Sequence, residues 1–182
     1  MRKILFILIF FPGLLQAQGK LKLDPVTNRY TFEEVFDSIP LPMNRIYRRA
    51  KTFFISQSTN SKLADDIINS QILANFYLSP CVKYSKHIQS DIPVTSTWKM
   101  EIRPGKYRIT ISNIMVKMSP NGHVQEMSLG TYCSTKMPGI MGGKALKKLH
   151  KKVLEAVNAQ IIQIVGKLNE SIRSKSYSDN DW

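Results

Sequence analysis

Acidic residues, histidines and cysteines are scarce in this chain of 182 residues, and each shortage argues against a kind of partner or site. Thirteen Asp and Glu residues accompany 26 Lys and Arg residues, which gives a formal net charge of +13 at pH 7. This excess favours polyanionic partners, although a soluble protein with a merely basic surface explains it equally well. None of the three histidines has a partner at metal-ligand spacing, and neither cysteine has a His or Cys at metal or redox spacing. We therefore predict no metal site and no cofactor, and we expect His87, His123 and His150 to be surface residues.

The N-terminus has the composition of an export signal. Residues 1–3 are basic at Arg2 and Lys3, residues 4–15 are nearly all apolar, and Ala17 is a small residue suited to cleavage. The apolar run is too short to span a bilayer comfortably, so residues 1–17 predict a secretory signal peptide rather than a buried helix. The mature chain would be exported and not transmembrane. Without Arg2 and Lys3, 24 cationic side chains remain against 13 acidic ones, a net charge of +11. Export makes nucleic acid the least expected polyanion.

The two cysteines, Cys81 and Cys133, allow one disulfide. In an oxidising compartment, a bond that closes so long a loop would contribute on the order of 4 kcal/mol to stability. Two unpaired buried thiols explain the same residues, and the sequence leaves both alternatives open.

The clearest secondary-structure pattern runs from Val94 to Val116. Apolar and polar residues alternate on both sides of Pro104 and Gly105, with the period of two that is typical of half-buried strands. Proline and glycine suit the two central positions of a tight turn. The pattern predicts a β-hairpin with one apolar face.

Two other segments have helical spacing. Apolar residues recur every three or four positions from Asn44 to Phe54, and again from Lys144 to Ile172. On the first helix we expect the basic residues, Arg49 among them, to be solvated. Further strands are predicted at 29–39 (with a bulge or a change of face at Glu33–Glu34), 67–68 and 72–83, whereas 56–62 is a polar break and 124–133 is either an edge strand or a loop.

This order of elements predicts an α+β fold, an antiparallel sheet covered on one face by two helices. The predicted single domain occupies residues 29–173. A loose segment, 18–28, precedes it, and a flexible tail, 174–182, follows it.

Several short motifs of this chain resemble those of a known protein family. They are the strand 30–37 followed by the helix 44–54, the strand 98–102, the turn 105–108, the strand 109–113, and residues 141–144 leading into a helix. Over about residues 23–173 the chain resembles the secreted bacterial domains of unknown function, of the 4468 type, with a TATA-binding-protein-like (TBP-like) fold. The resemblance implies a curved antiparallel sheet with two helices on one side, in a single copy, in exported proteins of Gram-negative bacteria. It implies no activity.

The first turns of the last helix carry an unusual density of positive charge, at Lys144, Lys147, Lys148, Lys151 and Lys152. Cations at a helix N-terminus oppose the helix dipole, by roughly 0.3–1 kcal/mol each. Together with the backbone N–H groups near Gly142 and Gly143, these lysines form a candidate anion-binding site. Ordinary solvated lysines that tolerate a small cost are the alternative.

No catalytic signature is present. The segment 138–145 resembles a phosphate-binding P-loop, but Pro138 replaces the first glycine and Ala145 replaces the hydroxyl residue that binds magnesium. We therefore expect no enzyme, and predict an exported, non-catalytic binding or scaffold module of the periplasm or exterior with an unknown protein partner. A peripheral binder of anionic envelope components such as lipopolysaccharide is the first alternative. A hydrolase whose site is assembled from distant residues is the second.

Overall fold

The computed structural model describes residues 19–57, 59–83, 89–119, 123–135 and 143–174. The predictions for the signal peptide, for Gly142 and for the tail beyond Ser174 lie outside these residues. The elements in chain order are β1 Lys22–Asp24, β2 Arg29–Phe36, α1 Met43–Ser56, β3 Ser61–Ile67, β4 Gln71–Leu78, β5 Cys81–Lys83, β6 Gln89–Asp91, β7 Val94–Arg103, β8 Lys106–Met118, β9 Gln125–Ser128, α2 Leu129–Ser134 and α3 Gly143–Arg173.

The main sheet is antiparallel and has the strand order β1-β2-β8-β7-β4-β3, with β9 paired to β8. Strands β5 and β6 form a separate two-stranded sheet. The predicted hairpin is confirmed: Trp98 lies opposite Ile111, and Gly105 occupies the turn with a φ of +69°. Glycine adopts this left-handed conformation without the steric cost that other residues meet.

One face of the sheet is buried, because α1 and α3 cover it. Trp98 is completely buried, its ring centroid lies 4.4 Å from that of Phe76, and Phe76 in turn packs edge-on against Phe54 of α1. The indole N–H of Trp98 donates to the hydroxyl of Ser96, at 2.9 Å, so the buried polar atom is satisfied. The α3 residues that are completely or almost completely buried are Val153, Val157, Ile161, Val165, Leu168 and Ile172. The predicted α+β class and two-helix cover are confirmed.

Arg49 is buried, with 7% of its surface exposed, so the prediction that it is solvated was wrong. Its Nη1 donates to the carbonyl oxygens of Ile172 and Ser174, at 2.7 Å each. The last carbonyl groups of a helix lack partners within the helix, and Arg49 supplies donors for them from α1. It thereby connects α1 to the end of α3.

A second polar contact connects α3 to the sheet. The hydroxyl of Tyr107 donates to Oδ1 of Asn169 at 2.9 Å, and both side chains are buried. Burial raises the pKa of Tyr107 above its ordinary value. Arg173 donates to the same Asn169 oxygen and to the carbonyl of Asp37, so the end of α3 lies close to the segment after β2.

Residues 19–28 are more ordered than the sequence predicted. Strand β1 pairs with β2, and Leu21 is buried, with its N–H donating to Oδ1 of Asn158 on α3 at 3.0 Å. These contacts come from the backbone and from a distant helix, which the polar composition of the segment does not reveal.

Three other predictions need correction. Strand β2 runs in regular register against β8, from Phe32–Ile111 to Phe36–Tyr107, without a bulge at Glu33–Glu34. Strand β3 begins at Ser61, inside the predicted polar break. The ambiguous segment 124–133 contains strand β9, as one alternative had it, but continues into helix α2, whose first turn is capped by the Ser128 hydroxyl.

Two helical glycines, Gly130 of α2 and Gly166 of α3, give a matched test of the packing. A Cβ atom added at Gly130 would lie 1.9 Å from the carbonyl oxygen of Asn28, whereas one added at Gly166 meets nothing within 4 Å. We expect Gly130→Ala to lower the free energy of unfolding by about 2 kcal/mol or more, because backbone must move. Gly166→Ala should raise it by up to about 1 kcal/mol through helix propensity. Urea denaturation of both variants measures these changes, and equal effects would contradict the close approach of α2 to Asn28.

Arg49 and its exposed neighbour Arg48 test the link between the helices. We expect Arg49→Met to lower the free energy of unfolding by about 2–3 kcal/mol, since the donors to the α3 carbonyls are lost. Arg48→Met removes the same charge from a solvated site and should change it by less than about 0.5 kcal/mol. The measurement is urea denaturation, and a neutral Arg49→Met would show that the α3 carbonyls do not depend on this side chain.

Candidate anion-binding surface

Four lysines lie on the outward side of the first turns of α3. Lys144, Lys147, Lys148 and Lys151 are exposed, whereas Leu146, which lies between Lys144 and Lys147 in the sequence, is buried. We call these four residues the lysine surface. Lys151 lies 3.8 Å from Glu155, but both side chains are mostly exposed, so this contact contributes little. Among the residues that the structure describes, no acidic side chain pairs with the other three lysines. The first turn of α3 contains no acidic residue either.

Lys152 has a different role from the other lysines of the predicted site. Its side chain is half-buried, and Nζ donates to the carbonyl oxygen of Lys83 at 2.5 Å. Lys152 therefore holds β5 against α3 and is not part of the lysine surface. Gly143 is exposed with open space around it, while Gly142 lies outside the described residues. Whether an anion binds here stays a prediction.

His150 is buried, with 7% of its surface exposed, so the prediction of a surface position was wrong. Its ring packs against Tyr132 of α2 at 5.2 Å, and Nε2 is buried with no hydrogen-bond partner among the described residues. The position falls on the apolar stripe between Leu146 and Val153, at helical spacings of four and three. This spacing is the sequence signal that could have placed His150 inside.

Cys81 and Cys133 are free thiols in the structure. Cys81 is exposed on β5 and lines a pocket of about 340 Å³ with Ala156 and Ala159 of α3. Cys133 is partly buried on α2, with Sγ 4.0 Å from the carbonyl oxygen of His150. The sequence left the pairing of the two cysteines open, and neither thiol is paired in this structure.

The described ranges contain neither a cluster of metal-binding side chains nor a helix suited to span a membrane. No group of three or more His, Cys, Asp or Glu side chains is placed to hold a metal ion in these ranges. None of the helices described combines the length and the apolar character needed to cross a membrane.

Comparison with known proteins identifies the fold. No protein-family model matches the chain, and no curated protein matches it. Among solved structures, the chain is similar to a TBP-like protein from Parabacteroides distasonis ATCC 8503, with a TM-score of 0.61 and 10% identity over 81% of this chain and 94% of that chain. It is also similar to a DUF4468 family protein from Bacteroides ovatus ATCC 8483, with a TM-score of 0.60 and 10% identity over 86% and 93% of the two chains. The fold is therefore TBP-like, and the resemblance noted in the sequence is confirmed at the level of fold.

The reactivity of the two thiols tests their surroundings. Burial raises the pKa of the Cys133 thiol to about 11, so few thiolates form near neutral pH. In the native protein at pH 8 we expect a maleimide to label Cys81 rapidly and Cys133 much more slowly, with both labelled at equal rates in urea. Mass spectrometry of peptides counts the labels. Recovery of an unlabelled, disulfide-linked pair from non-reduced mature protein would instead establish the paired alternative.

Proposed function

We propose that this protein is an exported, non-catalytic binding module of the bacterial cell envelope, which contacts an anionic envelope component through the lysine surface of α3. The observation that supports this proposal is the charge of Lys144, Lys147 and Lys148, which no acidic side chain of the described ranges pairs with, on a helix end whose dipole disfavours cations. The composition of residues 1–17 supports export, and the secreted character implied by the family resemblance agrees with it.

The packing of α3 leaves these lysines available. Buried residues such as Val153 and Val157 hold the helix on the sheet, so the outward side takes no part in the core. An anionic membrane surface attracts adjacent lysines by about 1 kcal/mol each, and the free N–H groups of a helix start add further donors. Four lysines on one side of a rigid helix therefore suit lipopolysaccharide phosphates or anionic lipid headgroups better than an apolar partner.

Cosedimentation with vesicles tests this surface. We expect the mature protein to sediment with phosphatidylcholine vesicles that contain phosphatidylglycerol, or with lipopolysaccharide, at low salt and to be released at high salt. Changing Lys144, Lys147, Lys148 and Lys151 together to Gln should weaken binding at least about 100-fold, because roughly 1 kcal/mol per lysine is lost.

A matched control removes four charges elsewhere. Lys20, Lys22, Lys62 and Lys167 are exposed and scattered over other elements, so their joint change to Gln should weaken binding far less. Equal losses of binding in the two quadruple variants would show that binding depends on net charge and not on the lysine surface. Binding that is absent, insensitive to salt or equal on pure phosphatidylcholine would refute the proposal.

A further inference from the structure

The sheet face opposite the helices carries charged side chains that are largely paired. Glu101 on β7 accepts hydrogen bonds from Arg108 Nη2 at 2.7 Å and from Lys99 at 3.2 Å. Arg108 also lies 3.5 Å from Glu33 on β2. The Arg108 guanidinium lowers the pKa of Glu101, which therefore stays ionised. In the middle of this face, each cation has a carboxylate beside it.

The end of the face next to the β7–β8 turn differs, because two cations stand together. Arg103 and Lys106 lie directly opposite each other in the strand register, and both are exposed. No acidic side chain in the described part of the chain forms an ion pair with either residue. Like charges opposite each other on antiparallel strands are destabilising. The fold does not require this pair, since the turn itself is formed by Pro104 and Gly105.

The two cations border a small pocket of about 170 Å³, also lined by Val35, Glu101, Tyr107 and Arg108. Val35 is 51% exposed and gives the pocket an apolar surface. A water molecule takes roughly 30 Å³ of liquid, so the pocket has room for a short side chain.

The hairpin is held in place from both sides. The carbonyl of Gly105 accepts a hydrogen bond from Ile39 N–H at 2.9 Å, and Ile102 N–H donates to the carbonyl of Ser70 at 2.7 Å. The pocket is thus formed before any ligand arrives, which reduces the entropy that binding must overcome.

We propose that this hairpin pocket binds the side-chain carboxylate of an Asp or Glu residue in a peptide segment of a partner protein. The carboxylate lies between the Arg103 guanidinium and the Lys106 ammonium, and its aliphatic stem lies on Val35. Guanidinium groups bind carboxylates with two parallel hydrogen bonds, which makes Arg103 the principal donor.

The neighbouring charges select a peptide over a continuous polyanion. Glu101 lines the pocket, Glu33 lies on the same face of the neighbouring strand β2, and both carboxylates would repel a row of phosphates. A single carboxylate adds only one negative charge, and the carboxylate of Glu101 is already paired with Arg108 and Lys99. This site is on the opposite side of the sheet from the lysine surface and is independent of it.

The test is an NMR titration of the full mature protein with a pair of capped alanine-rich peptides that differ only by one central Glu or Gln. We expect the Glu peptide to shift the amide signals of Val35 and of residues 103–108, and to bind at least about tenfold more tightly than the Gln peptide. Arg103→Gln with Lys106→Gln should abolish the difference. Lys22→Gln with Lys62→Gln, a matched loss of two exposed charges, should preserve it.

A second measurement separates binding from folding. Lys106→Glu replaces a repulsive cross-strand pair by an attractive one, so we expect a higher urea midpoint together with loss of peptide binding. Equal affinity for the Glu and Gln peptides, shifts elsewhere on the molecule, or tighter binding of tripolyphosphate at the same amides would overturn the proposal. An unchanged or lower urea midpoint for Lys106→Glu would remove its electrostatic basis.

Discussion

The inner face of the sheet bears aromatic and aliphatic side chains that are stable only when helices keep water from them. Trp98, Phe76 and Phe54 form one continuous aromatic contact from the middle of the sheet into α1, and α3 covers the strands beside it. Burying each large apolar side chain contributes about 1.5–3 kcal/mol, so the position of the two helices is fixed mainly by this face. Arg49 then fixes the helices relative to each other, because its guanidinium completes the end of α3 from α1. The residues on the outward side of α3 and on the uncovered face of the sheet are held in position by these two packed layers.

Much of the fold could be predicted because a single covered face produces regular patterns. A strand with one buried side alternates, and a helix with one buried side repeats every three or four residues. The hairpin from Val94 to Val116 and the helix from Lys144 to Ile172 follow these rules over many residues, and both were predicted close to their observed bounds. The lysine surface could also be identified from sequence, since four of the five lysines in the predicted anion-binding site lie on the outward side of a helix whose inner side is apolar.

The features that were missed depend on partners far away in the chain. Arg49 bonds to carbonyl groups 123 and 125 residues away, and Leu21 bonds to Asn158, 137 residues away. No local pattern distinguishes such a residue from a solvated one. The hairpin pocket is a similar case, because Arg103 and Lys106 resemble ordinary turn residues until the register places them face to face. His150 differs, because its place on the apolar stripe was readable, and only the residue type argued against burial.

The two outer surfaces have one physical property in common: each carries positive charge at a place where this charge does not help folding. At the start of α3, an acidic residue would interact favourably with the helix dipole, yet the described first turn carries lysine. At the hairpin, a carboxylate at either position 103 or 106 would form the same kind of cross-strand ion pair as Arg108 and Glu101 nearby. Neither change would touch the core. The sequence therefore tolerates electrostatic repulsion at two solvated places where the fold gains nothing from it, and we propose binding of negative groups as the physical benefit that offsets this cost.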